Sequence, residues 1–172
     1  MYKLRDVTHN AASWVRVEMV EIRRMGAGEA DALGGVMWGA IHEAPSAYTQ
    51  AQRVAWLPEP PHGAAWAAKL DRQAVWVAWR DAVPIGFLTL TGNGYIDLAF
   101  VAADAQGQGV FSALYAALET EAMGRAYRRL WTHASLMAER AFAAHGFHVI
   151  ARETAERAGQ SLARAEMEKL LT

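Results

Sequence analysis

Hydrophobic and polar positions along this chain change period several times, and each change marks an element. "VRVEMVEIRRM" (15–25) alternates, with Val15, Val17, Met19 and Ile22 set among Arg and Glu, which predicts an edge or half-buried strand. "GAGEADALGGVMWGAIHEA" (26–44) switches to helical spacing. Leu33, Met37 and Ile41 recur every fourth residue, and Pro45 ends the run. Gly34, Gly35 and Gly39 weaken that helix by up to ~1 kcal/mol each relative to Ala. "TQAQRVAWL" (49–57) predicts a short second helix, "PEPPH" (58–62) a rigid break, and "GAAWAAKLDRQ" (63–73) a third helix.

The period then drops to that of strands. "AVWVAWR" (74–80), "IGFLTLT" (85–91) and "YIDLAFV" (95–101) are rich in aromatic and β-branched residues, and "DAVP" and "GNG" punctuate them as hairpin turns do. An antiparallel meander follows from that pattern. A long helix is predicted over about 109–124, with a stripe of Val110, Phe111, Leu114, Tyr115, Leu118 and Ala122. Next come a strand at 128–134, a helix at 136–146 closed by Gly146, and a strand at 147–153. Residues 160–171 fit a helix by charge spacing and a strand by Leu162, Ala165 and Met167. Residues 1–16 read as an N-terminal extension or a short first strand. The whole is a mixed α+β domain. Its strand–helix–strand unit at 95–134 implies a parallel pair joined by a right-handed crossover.

Composition narrows the chemistry. The chain has 172 residues, enough for one domain with a sizeable core. Seventeen Lys and Arg balance eighteen Asp and Glu, without the basic excess of a nucleic-acid binder. There is no cysteine, which removes disulfides, thiol nucleophiles and cysteine-ligated metals. The histidines show no metal-ligand spacing, so no metal is expected. The start lacks the apolar run of a signal peptide, and no stretch reaches the ~18 apolar residues of a membrane span. A soluble, cytoplasmic protein with no membrane partner is the expectation.

"DAQGQGVFSALYAALE" (104–119) sets Gly107 and Gly109 immediately before a regular helix. They make either a plain tight turn or an anion site. The first N–H groups of a helix have no internal partner, and a phosphate can reach them where side chains are absent. The loop's place, after a strand and opening a helix, favours the anion site. Asp97 and His133 are each polar within an apolar run. Each is a satisfied structural group or a general base, and a histidine is poised near neutral pH. Ser135 is an N-cap for the helix from 136 or a proton donor.

"AFVAADAQGQGVFSALYAALETEA" resembles the cofactor-binding segment of the GNAT superfamily of acyl-CoA-dependent N-acyltransferases. The family pattern is Arg or Gln, two residues, Gly, one residue, then Gly or Ala. Gln106, Gly109 and the position of Phe111 match that frame. "SLMAERAFAAHGF" (135–147) resembles the family's next motif, which ends in Gly146-Phe147, and "EIRRMGAGEADAL" (21–33) resembles the usual first strand and helix. The likeness covers roughly residues 17–171, so it implies a GNAT-type domain over 17–172. Its fold would be a mixed, mostly antiparallel sheet with a central splayed parallel strand pair and helices on both faces.

The resemblance implies an N-acetyltransferase that moves an acetyl group from acetyl-CoA to a primary amine by direct attack. Backbone amides of Gln106, Gly107, Gln108, Gly109, Val110, Phe111 and Ser112 would grip the pyrophosphate. Phe100 and Val101 would pair through their backbone with the pantetheine arm. The acceptor would be a small-molecule or peptide amine, and a homodimer is a family habit. Two departures stand out. Phe111 replaces Gly or Ala and threatens to crowd the pyrophosphate, and Phe142 replaces a tyrosine that protonates the leaving thiolate. The second loss is modest: a thiol of pKa ~8.5 leaves as thiolate at pH 7 for about 2 kcal/mol, whereas an amine of pKa ~10.4 must lose a proton for roughly 4.6 kcal/mol. The base, Asp97 or His133, therefore matters more than the acid. The same residues also suit a domain that binds acyl-CoA as a sensor. A nucleotide-binding α/β enzyme would instead carry its glycine loop near the N-terminus.

Overall fold

A computed structural model describes residues 20–172. The expectation for residues 1–16, and the start of the strand expected from residue 15, lie outside them. The strand's remainder is β1 (Val20–Arg24), followed by α1 (Ala30–His42), α2 (Gln50–Trp56) and α3 (Gly63–Asp71). β2 (Ala74–Arg80), β3 (Val83–Leu90) and β4 (Tyr95–Val101) form the meander. α4 (Val110–Gly124) crosses to β5 (Arg129–Ser135), then α5 (Glu139–Ala144), β6 (His148–Arg157) and β7 (Gln160–Leu170) complete the domain.

The seven strands make one sheet in the order β1-β2-β3-β4-β5-β7-β6, antiparallel except between β4 and β5. β2 and β3 read as nearly unbroken apolar runs because both their faces are covered. On one face α1 and α3 bury Leu33, Met37, Trp66 and Leu70 against Val75, Val77, Phe87 and Leu98. On the other, α4 and α5 bury Leu114, Leu118 and Phe142 against Leu88, Ile96, Leu130 and Met167. Gly34 has a packing reason: a Cβ there would meet the Pro61 carbonyl oxygen at 1.8 Å, so the missing side chain lets α1 touch the proline segment.

Three expectations shift. Residues 160–171 form a strand, because their charges pair across β5 and β6, as in Arg164 with Glu153 and Arg129 with Glu168. β6 is longer than 147–153, running to Arg157 to match β7. The helix expected from 136 begins only at Glu139, behind a turn over 135–138.

Candidate active site

β4 and β5 are paired only at Tyr95↔Trp131 and Ile96↔Thr132, and beyond these they part. Two buried hydroxyls hold the parting open. Thr132 Oγ1 donates to the Ile96 carbonyl at 2.9 Å. β4 also bulges between Ile96 and Ala99, and the Leu98 N–H, left without a strand partner, donates to Thr89 Oγ1 at 3.0 Å.

Past the bulge, β4 stays paired with β3 and leaves its other edge free. Ala102 N donates to Ile85 O, and the Phe100 carbonyl lies only 3.1 Å from where a Cβ on Gly86 would stand, so both point at β3. By alternation, the peptide groups of Ala99 and Val101 face the gap. Of the expected backbone pair Phe100–Val101, the Val101 peptide faces the gap, and Ala99 rather than Phe100 accompanies it. The Phe100 peptide is spent on β3, while its ring sits between Phe87 and Trp56.

The free edge leads into the glycine loop. Gln106 Nε2 donates to the Val101 carbonyl at 3.0 Å, pinning the loop to the strand. Gly107 and Gly109 have φ of 73° and 81°, which only glycine adopts cheaply. Among the described residues, a Cβ on either would meet no atom within 4 Å, so no packing contact with them calls for glycine there. α4 starts at Gly109 with no side-chain cap and no acidic residue in its first turn. Its first intrahelical bond runs from Ala113 N to Gly109 O, so the N–H groups of Val110, Phe111 and Ser112 have no helical partner. Gln108 turns away, bonding Asp104 O and Arg80. Phe111 does not cover the loop. Its ring stacks parallel to Tyr115 and meets Phe142 and His145 edge-on, leaving it as a side wall. Phe142 is buried core.

Two cavities meet at the parting. The larger, about 510 Å³, runs past Ala99, Val101, Gly107 and Gly109 to Arg140 and His145. The smaller, about 300 Å³, opens on the α1–α3 face and holds Tyr95, Asp97 and His133. Trp56, Phe100 and Ser135 line both.

Asp97 is engaged by Lys69 Nζ and Gln73 Nε2, each at 3.0 Å. His133 sits in a chain: the Tyr95 hydroxyl lies 3.1 Å from Nδ1, and Glu153 Oε1 lies 3.3 Å from Nε2. A carboxylate only accepts, so the Nε2 side favours carrying the proton and Nδ1 accepts from Tyr95. Burial, with the nearby Asp97 charge, holds the Tyr95 phenol above its ordinary range, so it stays protonated at neutral pH. Glu153 is itself bonded by Arg164 at 2.6 Å. Ser135 Oγ accepts from Ala138 N at 3.2 Å, which leaves its O–H free to donate. It caps the turn before α5 rather than the helix itself.

Sequence reasoning missed Ala99, Tyr95 and Glu153. His42, at the end of α1, stacks on Trp38 and bonds the Leu57 carbonyl at 2.7 Å, a structural role. Tyr48 and Trp56 line the smaller cavity, while Trp66 is buried and donates to Ala30 O.

Residues 46–171 match the family model described as an acetyltransferase (GNAT) domain. The uncharacterized N-acetyltransferase YafP of Escherichia coli (strain K12) is 33% identical over 91 residues, which are 53% of this chain and 57% of that protein. The match thus spans little more than half of that relative. The crystal structure titled GCN5-related N-acetyltransferase, aminotransferase class-II, from Rhodopseudomonas palustris superposes with a TM-score of 0.79 at 30% identity, covering 88% of this chain and 95% of that one. The yncA structure from Salmonella typhimurium with its cofactor acetyl-CoA shares the fold, with a TM-score of 0.63 at 18% identity over 90% of this chain and 95% of that one. A parted parallel strand pair opening onto a bare helix N-terminus, and a family match over most of the chain, agree: this chain belongs to the GNAT acetyltransferase family.

Proposed function

We propose that the chain transfers an acetyl group from acetyl-CoA to a primary amine by direct attack. One observation carries this reading: the free edge of β4, open at the Ala99 peptide and the Val101 N–H, leads through the glycine loop to a helix N-terminus with no side-chain cap. A pantetheine arm suits the first, and a diphosphate suits the second. The N–H groups of Gly107 to Ser112 would hold the pyrophosphate, and the Ala99 peptide and the Val101 N–H would hold the arm. Acetyl-CoA supplies a thioester; as the amine nitrogen bonds its carbonyl carbon, the C–S bond breaks and CoA leaves as thiolate.

The chain's own groups move the protons. The amine gives its proton to the Tyr95 oxygen while the Tyr95 proton passes to His133 Nδ1, and Glu153 offsets the imidazolium charge. Asp97 is the less available acceptor, since Lys69 and Gln73 occupy it. Ser135, lining both cavities, donates a hydrogen bond to the departing thiolate, which keeps its charge, where Phe142 offers no hydroxyl. Nothing here needs a covalent enzyme intermediate. The acyl-CoA sensor stands as the second reading because Phe142 offers no acid. The test is a thiol-release assay with an amine panel, run beside calorimetry with acetyl-CoA. Heat with thiol release supports the transferase, heat without release from any amine supports the sensor, and no heat sinks both.

A further inference from the structure

We propose that the acceptor is a small amine that also carries an anionic group, a carboxylate or phosphate, held by Arg157 at the far end of the smaller cavity. The inference rests on the transferase reading and deepens it. Three cations line this cavity, Lys69, Arg157 and Arg164, against one carboxylate, Asp97. Lys69 and Asp97 neutralise each other at 3.0 Å. Arg164 is matched by Glu153. Arg157 pairs with no carboxylate among the described residues; its Nη1 donates only to the Glu156 carbonyl beside it, at 2.9 Å. The cavity is left with positive charge at one end.

The register says which end. β5 stops at Ser135, which faces Arg164 on β7. The β6–β7 hairpin continues past it, and Arg157 faces Gln160 four residues farther along β7. At ~3.3 Å per residue that is roughly 13 Å of strand between the reacting end and the Arg157 backbone. Arg157 lines the cavity at that end, so a guanidinium turned toward the reacting end would leave the span of a short aliphatic chain. The wall between is apolar or aromatic, with Met37, Leu98, Leu162 and Tyr48. Such a wall suits methylenes between an amine and an acid. The hairpin is also fixed over the cavity. Tyr48 donates its hydroxyl to Ala163 O, and Gln52 Nε2 donates to Ser161 O at 2.8 Å, so α2 clamps the far wall. A guanidinium can hold a carboxylate or phosphate by two parallel hydrogen bonds.

The test compares ω-amino acids of two to six carbons with plain alkylamines of equal length, and phosphoethanolamine with ethanolamine, by thiol release with wild type, Arg157→Ala and Arg157→Lys. At the best length, the acid-bearing amine should show at least a ten-fold higher kcat/KM, carried by KM. Arg157→Ala should shrink that ratio at least five-fold, and Arg157→Lys should restore part of it. The two pair types tell carboxylate from phosphate. Equal or better use of the plain amines in every pair, or equal losses for both kinds in Arg157→Ala, overturns the inference while the transferase reading stands. Should no amine release thiol, that reading fails. Calorimetry with N-acetyl ω-amino acids then decides alone: heat lost in Arg157→Ala supports the anion site, and heat unchanged overturns it.

Discussion

His133 is held at both ring nitrogens, by Tyr95 on one side and Glu153 on the other, so its proton inventory is set by its neighbours. Removing it should cost the general-base share of the rate. His133→Ala is expected to lower kcat by ~10²–10⁴ with KM for acetyl-CoA little changed, in steady-state assays. Glu153→Gln should lower kcat less, because a neutral amide offsets none of the charge the imidazole gains. Unaltered kcat in both variants removes the relay. At this scale the sequence was half readable. His133 and Asp97 stood out as polar residues in apolar runs. Tyr95 did not, since an aromatic at the start of a strand looks like packing. Glu153 reaches His133 only through the pairing of β6 with β7, a long-range register that no local pattern carries.

The bulge in β4 depends on a residue of the neighbouring strand. Thr89 is fully buried and its hydroxyl is the partner of the Leu98 N–H. Thr89→Val keeps the shape and leaves that N–H buried and unpaired, so it should cost ~1–3 kcal/mol in a denaturant titration. It should also raise KM for acetyl-CoA, because the bulge sets the direction of the free edge. Thr89→Ser keeps the hydroxyl and should lose much less. A loss as large in Thr89→Ser as in Thr89→Val would place the cost in packing instead. Elements with one clear period were legible: β2 and β4 fall on their expected residues, and α4 within one of its start. The last strand was not, since its charges at Arg164, Glu166 and Glu168 serve helix spacing and cross-strand pairing equally well. The turn at 135–138 was missed because Ser135 can cap a turn as readily as a helix.

Across the molecule, the larger cavity and the core of α4 and α5 share a titratable group. His145 packs on Tyr115 and Phe111, and burial, with Lys169 nearby, lowers its pKa below the ordinary value. The folded chain therefore binds fewer protons here than the unfolded chain. Its contribution to stability is present above about pH 6.5 and is lost as pH falls through that value toward the lower folded pKa. The melting temperature should drop between pH 7 and 5.5, and His145→Gln should flatten that drop. Carboxylates held low, such as Glu139 beside Arg152, act only at more acidic pH, so the windows separate. An identical slope in wild type and His145→Gln discards the assignment. The layered α+β plan, with its parted parallel pair, was legible from the order of periods and the family likeness; how the two cavities join was not, because Trp56, Phe100 and Ser135 come from distant elements. That junction has a traffic consequence. On the proposed transferase reading, donor and acceptor would come in by separate doors and meet at one partition, so neither would wait for the other to clear the corridor. The spent carrier would back out the way it came while the modified amine left on the opposite side.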